Sequence, residues 1–261
     1  MSRAPAEAGG TILAVPVTQP ETCCPIVELR QYTLHPGTRD VLIELFDREF
    51  VESQEALGMR VIGQFRRVDE PDRFVWLRGF RDMPSRARGL TDFYGGPAWK
   101  AHRDVANATM IAFDDVFLLR PARPESGFPV DDGDRPPPGG GDSSGSLVVC
   151  TIYPFEEPPD ADFLDFFERS LRPVVTEAGA SILGCFVTEP SANNYPALPV
   201  REGEPVFVWF SRFEGVEAYE RHVAALNRSP RWGEISEAVA SRLSGTPEVR
   251  KLLPTTRSRV R

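Results

Sequence analysis

Three groups of residues in this chain have types and spacing suited to chemistry. The first lies in the segment IVELRQYTL, where Glu28, Arg30 and Tyr32 alternate with Val27, Leu29 and Gln31 along a strand-like stretch. A carboxylate and a guanidinium two residues apart on one strand face either form a structural ion pair or clamp an anion or enolate. The second group is the histidines, whose ordinary pKa suits proton transfer near neutral pH. His35 precedes Pro36-Gly37 in a turn, His222 lies in the helical stretch AYERHVAAL, and His102 lies in WKAHRD, three residues after Trp99. At helical spacing Trp99, His102 and Arg103 share a face, with Tyr94 on the loop before them, and could orient a substrate. The third group is Asn193, Asn194, Tyr195, Arg201 and Glu202 in NNYPALPVREGE. Such a loop can carry binding groups or cover a sheet edge, and Arg201 is its first candidate.

Other chemistries lack their residues. No Walker A or GxGxxG stretch follows a strand, and no HExxH, paired CxxC or GxSxG occurs. Of the four cysteines, Cys23 and Cys24 are adjacent in a polar stretch, and Cys150 and Cys185 stand alone in apolar ones, so no disulfide or metal framework is expected. The net charge of -8 argues against a nucleic-acid binder. No apolar run approaches the roughly 18 residues of a spanning helix, and no signal peptide is read, so a cytoplasmic protein is expected. Lys100 and Lys251 are the only lysines, a bias that fits GC-rich codons and an actinobacterial source.

The elements that position these groups come in two copies. Tyr32, Phe46, Gly58, Gly63 and Phe65 recur 121 residues later as Tyr153, Phe167, Gly179, Gly184 and Phe186. Beyond that point the offset is 133, carrying Trp76, Pro97, Trp99, Val116 and Leu119 onto Trp209, Pro230, Trp232, Val249 and Leu252. The change of offset places a twelve-residue insertion between Glu189 and Glu204 of the second copy. The expected organisation is a flexible tail over 1–24, a first domain over 25–121, a Pro/Gly-rich linker over 122–145, a second domain over 146–255 and a tail over 256–261.

Each copy reads strand, helix, strand, strand, helix, strand. The first copy has strands at 26–34, 60–67, 73–80 and 110–119, a helix over 39–57 stopped by Gly58, and a broken helical region over 85–105. The fold class is therefore α+β, a tandem duplication of a ferredoxin-like βαββαβ unit. A four-stranded sheet with helices on one face leaves the other bare, so the two sheets should pack together as an intramolecular barrel with a small-molecule cavity in its lumen. Val27, Leu29 and Gln31 should then meet the helices, leaving Glu28, Arg30 and Tyr32 to face the lumen.

Differences between the copies sharpen the candidates. Trp76 with Trp209 and Trp99 with Trp232 are common to both and suit packing, as apolar walls. Glu28 and Arg30 face Val149 and Thr151 in the register, and His102 faces Ile235. An apolar residue at the matching position suggests that His102 is partly buried.

The segments VELRQYTLHPG, FVWLRGF, YGGPAWKAHRD and LPVREGEPVFVW resemble the NIPSNAP family, within the dimeric α/β-barrel superfamily. The resemblance spans Ile26 to Pro121 and Leu147 to Pro254. It implies the barrel fold, but relatives on this barrel include cofactor-free monooxygenases, isomerases, cyclases, haem enzymes and proteins with no known catalysis, so it leaves the reaction open.

The expectation is a small-molecule enzyme of bacterial secondary metabolism, working without metal or organic cofactor in an oxygenation, isomerisation or cyclisation. His102, Arg30 and Glu28 are the catalytic candidates, with His102 as acid/base and Arg30 and Arg201 as anion stabilisers. Tyr32, Trp76, Tyr94, Trp99, Arg103, Tyr195, Arg201 and Trp209 are the substrate-binding candidates. The alternatives are a non-catalytic metabolite-binding or scaffold protein and a haem protein. A homodimer is possible, and neither nucleic acid nor membrane is an expected partner.

Overall fold

The computed structural model describes residues 23–130, 133–139 and 145–261. Both repeats have the expected topology. In the first, β1 (Ile26–Leu34) leads into α1 (Arg39–Leu45), which continues through a π-helical turn at Phe46–Phe50 into α2 (Val51–Glu55). Then come β2 (Arg60–Arg67), β3 (Arg73–Phe80), α3 (Met83–Gly95), α4 (Pro97–Thr109) and β4 (Met110–Pro121). The second repeats this with β5 (Leu147–Pro154), α5 (Ala161–Phe166), a π-helical turn at Phe167–Leu171, α6 (Arg172–Glu177), β6 (Ser181–Thr188) and β7 (Val206–Phe213). It ends with α7 (Val216–Asn227), α8 (Pro230–Ala240) and β8 (Glu248–Pro254).

The eight strands close into one antiparallel barrel in the order β1-β3-β2-β8-β5-β7-β6-β4. Each repeat supplies four adjacent strands, and the repeats join through β2 with β8 and β4 with β6. Closure removes the open sheet edges that either repeat would have alone. The repeats also share an irregularity. Pairing shifts between Val61 and Gly63 in one and between Ile182 and Gly184 in the other. A β-carbon on Gly63 would lie 2.6 Å from the Phe65 ring, and one on Gly184 would lie 2.9 Å from Phe186, so glycine lets each ring fold back over its own strand.

The strand faces are the reverse of the sequence expectation. Val27 and Leu29 point into the barrel, where they meet Phe65, Phe117, Phe186, Phe210 and Leu252 in a core shared by both repeats. Gln31 is on the same side and accepts a hydrogen bond from Arg250 Nε at 3.0 Å. The lumen is thus a packed core rather than a ligand cavity. Glu28, Arg30 and Tyr32 lie between their sheet and its helices. The physical reason is that the purely apolar strand faces are most favourably buried against each other. The mixed faces remain beneath the helices, which can supply polar partners.

The segments read as tails and linker contribute to this packing. Phe128, in the expected linker, is buried with its ring 4.8 Å from that of Phe186 and 5.1 Å from that of Phe210, closing one end of the barrel. Cys24 is buried against Gly79. Arg257 and Ser258, in the expected C-terminal tail, are also buried, with Arg257 paired to Glu52. A large ring or a satisfied cation needs only one docking site to order a short Pro/Gly-rich stretch, and average composition does not register it. Residues 1–22, the rest of the expected N-terminal tail, lie outside the described residues.

Candidate functional site

The candidate site is the layer between the first sheet and its helices. Pairing of β1 with β3 sets Glu28 opposite Arg78, Arg30 opposite Trp76 and Tyr32 opposite Phe74. The start of α3 is fixed by Asp82, whose side chain accepts from the Ser85 amide at 2.6 Å, and by Pro84 in the first turn. From that start Arg86, Leu90 and Phe93 fall on the buried face at helical spacing.

These elements gather three guanidinium groups around one carboxylate. Glu28 Oε2 accepts from Arg30 Nη1 at 2.9 Å and from Arg78 Nη2 at 2.6 Å, and Oε1 accepts from Arg86 Nε at 2.7 Å. All four side chains are wholly buried. Arg78 also donates to Gln54 Oε1 at 2.9 Å. Arg86 Nη1 donates to Asn193 at 3.0 Å and Asn194 at 2.7 Å, so the insertion of the second repeat reaches across to complete a cluster in the first. Arg78 and Arg30 lie over the Trp76 ring at 4.9 and 5.7 Å. Burial alone would raise the Glu28 carboxyl, but Arg78, Arg30 and Arg86 outweigh it and hold the group well below the usual carboxylate range.

Arg30 links this cluster to an opening. Its Nε donates to the Tyr32 hydroxyl at 3.0 Å, and Tyr32 lines a cavity of about 360 Å³. Tyr94, Trp99, Phe113, Tyr195 and Leu198 form most of the remaining wall. Tyr94 stacks on Tyr195 at 6.0 Å and meets Trp99 edge-on at 4.9 Å, so the insertion also supplies part of the cover. Burial raises the Tyr32 pKa, with Arg30 opposing, so the phenol keeps its proton. Its oxygen accepts from Arg30, and the proton is available to an acceptor in the cavity.

Of the sequence candidates, Glu28, Arg30, Tyr32, Trp76, Tyr94, Trp99 and Tyr195 are brought into one neighbourhood. His102 is not part of the cavity wall. It is about 30% exposed on α4, with Nε2 3.3 Å from Glu49 Oε2. Arg103 is exposed and paired with Asp104. Arg201 pairs with Asp115 and Glu204 and lies 4.3 Å over the Phe117 ring, in a different surface recess. Trp209 belongs to the second repeat's own sheet–helix layer. Sequence reasoning missed Gln54, Arg78 and Arg86. Comparing the repeats, which singled out Glu28 and Arg30, would have found them too, since their counterparts are Val175, Ser211 and Tyr219.

This fold is a dimeric α/β barrel closed within one chain, a class shared with several solved structures. A protein from Fusobacterium nucleatum subsp. nucleatum, provisionally named a monooxygenase, superposes with a TM-score of 0.52 at 8% identity, over 89% of this chain and 93% of that one. Another, provisionally so named, from Lactobacillus acidophilus gives 0.50 at 17% identity, over 90% and 94%. An anthrone oxidase-like protein gives 0.52 at 14%, over 88% and 91%. At these identities the likeness is one of fold. By sequence, the NIPSNAP family model matches residues 27–123, which make up the first repeat. No curated protein matches the chain. Among the described residues no helix is long and apolar enough to cross a membrane.

Proposed function

We propose that the chain is a small-molecule enzyme that binds a flat aromatic substrate as its phenolate or enolate in the Tyr32 cavity, and works there without metal or organic cofactor. One observation carries this reading: three buried guanidiniums share one carboxylate, directly behind a tyrosine that lines an aromatic cavity. That excess of positive charge in a poorly solvated place favours an anion nearby. Arg30 acts through Tyr32, which donates to the substrate oxyanion, while Tyr94, Trp99 and Tyr195 hold the ring. An electron-rich anion is the form of a phenol or enol that reacts with dioxygen, so oxygenation is the favoured reaction. Isomerisation and cyclisation would use the same intermediate. The names of the similar folds fit that direction, and a step in bacterial secondary metabolism is the proposed setting.

The test is a spectroscopic titration with 2-naphthol, whose neutral and ionised forms absorb differently. The bound naphthol should ionise at least one pH unit below the free compound, and Tyr32→Phe should remove most of that shift. Equal ionisation of bound and free naphthol would rule the reading out. A second reading, a non-catalytic metabolite binder, is favoured by the position of His102 outside the cavity wall, which leaves tyrosines as the proton-transfer groups there. Dioxygen uptake with a bound phenolate would separate the two.

A further inference from the structure

The duplication puts the same crevice under the second sheet, with different contents. The positions of Glu28, Arg30, Gln54, Arg78 and Arg86 are held there by Val149, Thr151, Val175, Ser211 and Tyr219. In the first repeat the long charged side chains fill the inner part of the crevice and only its outer part is open. In the second the shorter Val149, Thr151, Val175 and Ser211 leave room there, with Tyr219 at the side. All five line a cavity of about 270 Å³. Its floor includes Tyr153 and Trp209 of the sheet, and its roof includes Leu226, Trp232 and Val239.

Two side chains in this apolar chamber, Ser211 and His222, each hold a polar atom with no hydrogen-bond partner among the described residues. Ser211 is 1% exposed and its hydroxyl is unbonded. His222, on α7, lines the same chamber and is also buried. Its Nδ1 lies 3.1 Å from the Ala178 carbonyl oxygen. A carbonyl can only accept, so Nδ1 carries the proton and Nε2 presents a lone pair, to which no described residue donates. Burial lowers the His222 pKa, which keeps the ring neutral. A buried hydroxyl left unpaired is unfavourable, and in a cavity of this size a ligand can relieve it.

We infer that this crevice is a second ligand site, for an uncharged molecule of about two fused rings with a hydroxyl at one edge and a carbonyl at the other. The hydroxyl would donate to His222 Nε2, and the carbonyl would accept from Ser211, with Thr151 beside it. An apolar cavity of about 150 Å³ holds one benzene ring, and this chamber is nearly twice that size. Anions are disfavoured, because none of the five replaced positions carries a positive charge here. The two crevices of one chain would therefore sort ligands by charge.

The test uses 6-(hydroxymethyl)-1-tetralone as the neutral probe, whose hydroxyl is an alcohol that does not ionise, titrated calorimetrically into the full chain. One site is expected. Thr151→Val with Ser211→Ala, which removes the two hydroxyls and little volume, should weaken binding at least fivefold, whereas Tyr32→Phe should leave it unchanged. Nitrogen NMR of the histidine rings should show the His222 Nε2 signal moving when probe is added to the unaltered chain, a readout that needs no variant. Binding that is absent at millimolar probe, or indifferent to the double substitution, or abolished by Tyr32→Phe, would overturn the inference. The naphthol result is read from the ionisation shift that Tyr32→Phe removes, which belongs to the other crevice, so either result can fail alone.

Discussion

Replacing Glu28 by glutamine tests whether the buried cluster is organised around the one carboxylate it holds among the described residues. The substitution keeps size and hydrogen-bonding capacity but leaves Arg30, Arg78 and Arg86 facing one another with no negative charge among them. Removing one partner of a buried ionic network costs about 3–5 kcal/mol, against a total folding stability of about 5–15 kcal/mol. At about 2–4 °C per kcal/mol for a domain approaching this size, the melting temperature should fall by on the order of 10 °C. Urea denaturation followed by circular dichroism measures the loss. Its pH dependence is also fixed in sign. The folded Glu28 carboxyl lies below the unfolded value of about 4.3, so its contribution is complete above that pH and is lost as pH falls towards the folded value. The gap between wild type and Glu28→Gln should therefore be constant near neutrality and narrow below about pH 4. The second repeat supplies the control. Combining Glu28→Val, Arg30→Thr, Gln54→Val, Arg78→Ser and Arg86→Tyr installs the residues already compatible with this crevice, and most of the lost stability should return. A single-variant loss under about 1 kcal/mol, or a gap that ignores pH, would refute the cluster's account.

Other consequences are simpler to measure. Phe128→Ala should cost about 3–5 kcal/mol in the same assay, because the ring caps the barrel core; a surface residue of a true linker would cost almost nothing. Tyr195→Ala removes the aromatic cover of the first cavity and should weaken 2-naphthol several-fold without changing the melting temperature appreciably. Haemin added to the chain should give no Soret band shifted from that of free haemin, consistent with the proposed absence of an organic cofactor; a shifted band would move the protein to the haem class.

The architecture was legible because it is written twice. Strand bounds at 26–34, 60–67 and 73–80, the helix over 39–57 and the shift of register all follow from residues that recur at fixed offsets. Which face of β1 is buried against what was not legible. Alternation separates Val27 and Leu29 from Glu28 and Arg30 but cannot tell a helix layer from a partner sheet when both are closed to water. The rule that apolar residues meet helices gave the wrong side here, since Arg78 across the sheet and Arg86 from a helix satisfy Glu28, and Gln54 from another helix accepts from Arg78 in turn. The site followed that error. His102 was singled out as a polar residue aligned with Ile235, yet it pairs with Glu49 at a half-exposed helix face. His222, which the sequence places only in a helical stretch, is buried beside an open chamber.

The insertion explains why the two crevices could diverge without loss of the fold. A barrel of two identical chains must carry the same residues in both sheet–helix layers, so a cluster with excess positive charge would be placed twice. Joining the halves in one polypeptide lifts that constraint. The twelve added residues then act on the opposite half: Asn193 and Asn194 close the outer side of Arg86, and Tyr195 covers the cavity beside Tyr32. An insertion in one repeat that completes a site in the other is intelligible only if the two sites are unlike. The same loop that satisfies the charged crevice is not needed over the apolar one, whose own α7 and α8 already supply its roof.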